Sequence, residues 1–126
     1  MRAIDTNVLV RLLARDDQRQ LSDAEKFVGN AAWVSHLVLA ETLWVLDAVY
    51  ERSPEQIGSA VEMLLAHAEL TLQDGDVVAA ALGRFRAQPA LGFSDCLIVE
   101  IARKAGHLPV GTFDRRLAKV DGVQRI

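Results

Sequence analysis

A single cysteine, Cys96, stands among 126 residues. No disulfide can therefore close within the chain, and no cage of thiolates can hold a metal. That fits a reducing compartment, and a cytoplasmic location is expected. No stretch approaches the ~20 uninterrupted apolar residues of a spanning helix, and the N-terminus lacks the basic-then-apolar pattern of a secretory signal, so no membrane role is expected. The three histidines, His36, His67 and His107, lack metal-site spacing and read as structural or surface groups. Internal repeats, low-complexity tracts and linker-like runs are missing as well, which leaves one domain over residues 1–126. A basic excess is also absent. The net charge is −3, whereas nucleic-acid binders usually carry a positive surplus. This does not exclude a phosphate-rich partner, because −3 becomes +1 once four carboxylates are set aside for a metal site whose cations add positive charge.

What is present is a 51% hydrophobic chain, enough for one full core, organised as short strands alternating with helices. Strands are predicted at residues 2–5, 32–35, 69–73, 109–112 and 123–126. Between them the periodicity of Val8, Leu9, Leu12 and Leu13 predicts a helix. Ser22 and Glu25 have the spacing of a capping box opening a second. Residues 37–51 predict a third, apolar on so many sides that it needs burial nearly all round. Ser53, Pro54 and Gln56 give the next helix a cap, a first-turn proline and a capping partner. Asp74 and Ser94 are read as caps of two more, the last ending at Gly106, and a helical turn is expected at residues 115–119. Strands separated by helices need crossover connections. The expected fold is therefore α/β, a three-layer sandwich with a short, mostly parallel five-stranded sheet flanked by helices. In such sheets sites form beyond the carboxyl ends of strands, where Asp5 and Asp114 fall.

An isolated acid is usually a solvated charge or a helix cap, so each of the four needs a reason to be read otherwise. Glu41 has Leu37, Val38, Trp44 and Val45 three and four positions away, which places a carboxylate inside an apolar stripe. There it needs a cation, a proton or strong donors. Asp95 projects near Ile98 and Ala102 and is expected to point inward from a helix's first turn, where the helix dipole keeps it ionised. Asp5 is followed by Thr6 and Asn7, and Asp114 by Arg115 and Arg116; alone, each could be a cap or, for Asp114, a salt bridge.

Together, the run Ala3, Ile4, Asp5, Thr6, Asn7, then Glu41, then Phe93, Ser94, Asp95, then Thr112, Phe113, Asp114 resembles the PIN domain in order and spacing, over essentially the whole chain. Within that family it looks most like the small VapC-type toxins, ribonucleases paired with an antitoxin. The resemblance implies that Asp5, Glu41, Asp95 and Asp114 are catalytic acids holding one or two Mg2+ or Mn2+ ions, with Thr6, Asn7, Ser94 and Thr112 supporting or orienting. Some relatives carry a further acid after the last motif, where this chain has Arg115 and Arg116. Oxygen-only ligands suit these hard cations, which position a phosphodiester for hydrolysis to 5′-phosphate and 3′-hydroxyl ends. Arg11, Arg15, Arg84, Arg86, Arg115 and Arg116 are candidates for phosphate contacts. The implied partners are RNA, an antitoxin and a second copy of the chain.

Other readings fit less well. A phosphoacceptor receiver domain wants an acidic pair after the first strand and a lysine ending the last, and a haloacid-dehalogenase-type phosphatase wants an acid where Asn7 stands. A catalytically silent PIN-like binding module is argued against by the presence of all four acids. Cys96 beside Asp95 is read as a small semi-buried helix residue in preference to a nucleophile.

Overall fold

The computed structural model describes every residue, 1–126. They fall into two compact units, Met1–Gly75 and Asp76–Ile126. No helix is long and apolar enough to cross a membrane.

The first unit runs β1 (Arg2–Ala3), α1 (Thr6–Ala14), α2 (Gln18–Val28), β2 (Ala32–Val34), α3 (His36–Ala48), α4 (Pro54–Ala66) and β3 (Leu70–Leu72). The strands pair in parallel in the order β1-β2-β3, with Arg2 opposite Ala32 and Ala32 opposite Leu70. Two helices fill each crossover. Alternate strand residues Ala32, Val34, Leu70 and Leu72 turn into the core, beside Leu9, Leu39, Val61 and Leu64. Helix α1 packs against both α2 and α3.

Four side chains start these helices. Asp5, Asp17, Ser35 and Ser53 each accept a backbone N–H from the first turn of α1, α2, α3 and α4. The Ser53–Gln56 capping box behind Pro54 is as expected. The Ser22–Glu25 box is not formed. Arg15 takes a left-handed conformation (φ 56°) at the end of α1, the chain turns at once, and Asp17 caps α2 by accepting the Gln20 N–H at 3.0 Å. Ser22 is left inside the helix. Nor is α3 buried all round, although its apolar sequence predicts it. Leu39, Thr42, Leu43 and Leu46 are buried, but Leu37 is 68% and Trp44 66% exposed. The helix is apolar on nearly every side, and α1 and α4 cover only part of it.

The second unit comprises α5 (Gly75–Ala87), a 3-10 turn at Pro89–Leu91, α6 (Phe93–Ala105), β4 (Val110–Thr112), a second 3-10 turn at Leu117–Lys119 and β5 (Val123–Arg125). Strands β4 and β5 are parallel, Val110 opposite Val123. The five strands form two ladders, one of three strands and one of two, each parallel within itself. Phe85 and Phe93 meet edge to face at 5.9 Å, the favoured geometry for two aromatic rings. Ser94 is not the cap of α6. The chain enters through Gly92 at φ 80°, a conformation glycine adopts without strain, so the helix begins two residues early and Ser94 lies exposed in its first turn. Gly106 ends α6 in the left-handed region, as expected. The buried stripe of α6 is Phe93, Cys96, Leu97 and Val99; Ile98 and Ile101 are exposed.

Candidate functional site

The acids of the first unit are Asp5 and Glu41. Asp5 lies two residues past β1 and is the N-cap of α1, its Oδ1 accepting the Val8 N–H at 3.1 Å. Its second oxygen makes no hydrogen bond, and the residue is exposed. Thr6 follows at the first helical position, half-buried, and Asn7 is exposed. Glu41 projects from the middle of α3 into solvent beside exposed Leu37 and Trp44. The stripe around it is apolar as the sequence indicates, but it lies outside the core. Glu41 has no hydrogen bond or ion pair.

The second unit contributes Asp95 and Asp114. Asp114 lies two residues past β4, and its Oδ1 accepts the N–H groups of Arg116 (2.7 Å) and Leu117 (3.3 Å), starting the Leu117–Lys119 turn. Thr112 Oγ1 accepts the Asp114 N–H at 3.0 Å, so the threonine fixes the backbone that carries the acid. Asp95 lies in the first turn of α6, half-buried and without a hydrogen-bond partner. Burial pushes its carboxyl above the usual carboxylate range, and the negative charge of Asp114 adds to the rise. Two carboxylates that repel each other while one is partly stripped of water form a place where a cation lowers the energy of both. The donors are all oxygen, which fits a hard divalent ion. No group of three or more His, Cys, Asp or Glu side chains stands in metal-holding geometry.

Cys96, next to Asp95, is 1% exposed, and burial followed by the Asp95 charge pushes its thiol up to about 11. It stays protonated at neutral pH and is no nucleophile. The candidate phosphate contacts divide. Arg11 donates to Asp16 (2.8 Å) and to the Tyr50 hydroxyl (3.3 Å), which itself donates to Asp16 at 2.7 Å. Its Nη1 is committed within the fold, while its Nε is buried without a hydrogen-bond partner. Arg15 is the exposed C-cap of α1, Arg84 and Arg86 occupy the last turn of α5, and Arg115 and Arg116 are exposed immediately after Asp114. The sequence reading missed the Arg11–Asp16–Tyr50 network. Its signal was the lone tyrosine at the end of an apolar helix, whose hydroxyl needs a polar partner when its ring is covered.

The family model for the PIN domain matches residues 3–123. The chain belongs to the PIN domain family. The match spans both units and includes all four acids. PIN domains have a nuclease-type fold, act in general as hydrolases on nucleic acid and typically bind divalent metals. Comparisons with curated proteins and with solved structures found no match.

Proposed function

We propose that this PIN domain, residues 1–126 taken as one domain, is a metal-dependent endoribonuclease and the toxin of a toxin–antitoxin pair. The observation that carries the reading is the repeated placement of an acid just past a strand. Asp5 after β1 and Asp114 after β4 each bind backbone N–H groups through Oδ1 and leave Oδ2 open. Glu41 and Asp95 complete the set without any competing hydrogen bond.

In this reading Asp5, Glu41, Asp95 and Asp114 hold one or two Mg2+ or Mn2+ ions, which supply charge neutralisation of the phosphodiester and a more acidic water. The chain's own residues prepare the site. The caps orient Asp5 and Asp114 before any ligand arrives, Thr112 holds the turn beneath Asp114, and Arg115 and Arg116 offer guanidinium groups to phosphate oxygens next to that acid. Thr6, Asn7 and Ser94 are assigned to orienting ligands or substrate. Exposed Leu37 and Trp44, one above the other on α3, are the kind of apolar surface a partner chain covers. We assign that face to protein contacts, with an antitoxin or a second copy of the chain as occupant.

The test is incubation of the purified protein with structured RNAs in Mg2+ or Mn2+, beside Asp5→Asn and Asp95→Asn variants and an EDTA control, with both product ends mapped. Metal-dependent cleavage to 5′-phosphate and 3′-hydroxyl ends, lost in both variants, is the expected result. A folded protein that binds metal yet cuts no RNA would turn the assignment toward a binding module.

A further inference from the structure

Beside Asp5, α1 and α2 enclose an open groove of about 360 Å³ within the first unit. Its apolar lining is Val8 from α1 and Ala24 and Phe27 from α2. The Phe27 ring is held in place. The Arg2 guanidinium lies over it at 3.7 Å from the ring centre and also donates to the Phe27 carbonyl at 3.3 Å. Three polar side chains, Asn7, Gln20 and Asp23, share the lining, and none of the three makes a hydrogen bond or ion pair with the rest of the chain. The groove's other carboxylate is Asp5. Its one guanidinium, Arg11, is engaged by Asp16 and Tyr50.

These features select a class of ligand. With two carboxylates, and an arginine already paired, the groove repels phosphate. An apolar lining with a fixed aromatic ring favours a flat, uncharged heterocycle, and protein sites for unpaired RNA bases combine such stacking with hydrogen bonds to the base edge. A carboxylate only accepts hydrogen bonds, so Asp23 discriminates in favour of a base that presents donors. Guanine presents two adjacent donors, N1–H and the 2-amino group, that match the two oxygens of a carboxylate. The amides of Asn7 and Gln20 can both donate and accept, and so serve the carbonyl at position 6.

We propose that the α1–α2 groove is a nucleobase subsite, selective for guanine, that seats an unpaired base of the RNA beside Asp5. The proposal rests on the ribonuclease reading for the identity of the polymer, but base binding is read without cleavage. Occupation of the groove explains how an acidic protein can position a polyanion: the base, and not the backbone, enters the acidic part.

The test is a titration of the isotope-labelled full-length protein with guanosine, inosine, adenosine, cytidine and uridine in metal-free buffer, followed by backbone amide shifts. Guanosine is expected to move the amides of residues 7, 20, 23, 24 and 27 and to bind more tightly than inosine, which lacks the 2-amino donor. Asp23→Asn, on the exposed face of α2, is expected to abolish the guanosine-over-inosine preference. Phe27→Ala is expected to weaken guanosine about fivefold or more through lost stacking. Because Phe27→Ala also frees Arg2, Gln20→Ala serves as a milder variant and is expected to weaken guanosine about threefold. Equal binding of all five nucleosides, shifts confined to residues outside the groove, or an unchanged preference in Asp23→Asn would each overturn the proposal. So would a groove that answers only to an arginine-rich peptide, which would make it a protein-docking surface. A protein that cleaves no RNA would count against the nuclease reading alone, since the nucleoside titration needs neither metal nor catalysis.

Discussion

The four acids divide into two kinds, one of each in either unit. Asp5 and Asp114 follow strands and hold a turn together by accepting backbone N–H groups. Glu41 and Asp95 sit on helices and bond to nothing in the chain. The difference teaches that the same residue type can be retained for two reasons at once or for one alone. An acid that caps a helix contributes to the fold whether or not it binds metal, while an acid with no partner, especially a half-buried one repelled by a neighbour, only raises the energy of the ligand-free protein.

The largest effect that sharpens this contrast comes from substituting each acid twice. Asparagine at position 5 or 114 keeps an oxygen for the cap but loses the charge, and asparagine is as good a cap as aspartate. Alanine removes both. Asp5→Asn and Asp114→Asn are expected to lower RNA cleavage about 100-fold or more while leaving the melting temperature nearly unchanged. Asp5→Ala is expected to lose the same activity and, in addition, about 1 kcal/mol of stability, which moves the melting temperature down by roughly 4 °C. Glu41→Ala should lose activity to the same degree with no fall in melting temperature. Thermal melts beside cleavage rates check this, and a Glu41→Ala variant as destabilised as Asp5→Ala would erase the distinction.

A smaller effect concerns Asp95 and pH. Its carboxyl is raised by burial and then by Asp114, so the charged form is disfavoured in the folded state. The contribution to stability is most favourable where the acid is protonated in both states, below the ordinary value of 3.8, and declines as pH rises through the elevated value. At pH 7 without metal, Asp95→Asn is therefore expected to melt higher than the parent, a gain that disappears in acid. Added Mg2+ should raise the melting temperature of the parent and close the gap. Melts from pH 3 to 8 with and without Mg2+ decide the matter; a variant less stable than the parent at neutral pH would mean that Asp95 has a favourable partner after all. If Asp95 holds metal in the proposed ribonuclease, cleavage should rise with pH across the same interval.

Much of this was legible in the chain. Alternation of strand and helix follows from hydrophobic period, and Ser53, Pro54 and Gln56 announced their helix by side-chain chemistry that acts within one turn. The four acids were singled out by the resemblance of their order to the PIN domain and not by their surroundings: Glu41 was expected among buried apolar neighbours, and Leu37 and Trp44 beside it are exposed. Periodicity tells which residues share a helix face but not whether that face meets the core, since this depends on elements far away in sequence. Start signals failed where two competed. Asp17 precedes Ser22 and Gly92 precedes Ser94, and in each case the earlier residue begins the helix. The groove beside Asp5 could not be read from the sequence at all, because residues 7 and 27 become neighbours only when α2 folds back along α1.

The smallest expected effect probes a polar cluster with a structural role and no open ligand position. Tyr50 joins Arg11 and Asp16, tying α1 and the turn after it to the end of α3. The Tyr50 hydroxyl is the first cause holding the Asp16 carboxyl below its usual range, with Arg11 contributing as well. A lowered acid adds stability above its unfolded value and loses it as pH falls through the folded one. Tyr50→Phe is therefore expected to lower the melting temperature by about 1–3 °C at pH 7, the modest effect typical of solvent-exposed pairs, with the difference from the parent fading below the normal range of an aspartate. Cleavage should stay within about threefold of the parent. A loss of activity as deep as that of Asp5→Asn, with little change in melting, would instead show that the α1–α3 tie sets the position of the acids, and would move the cluster from the fold to the site.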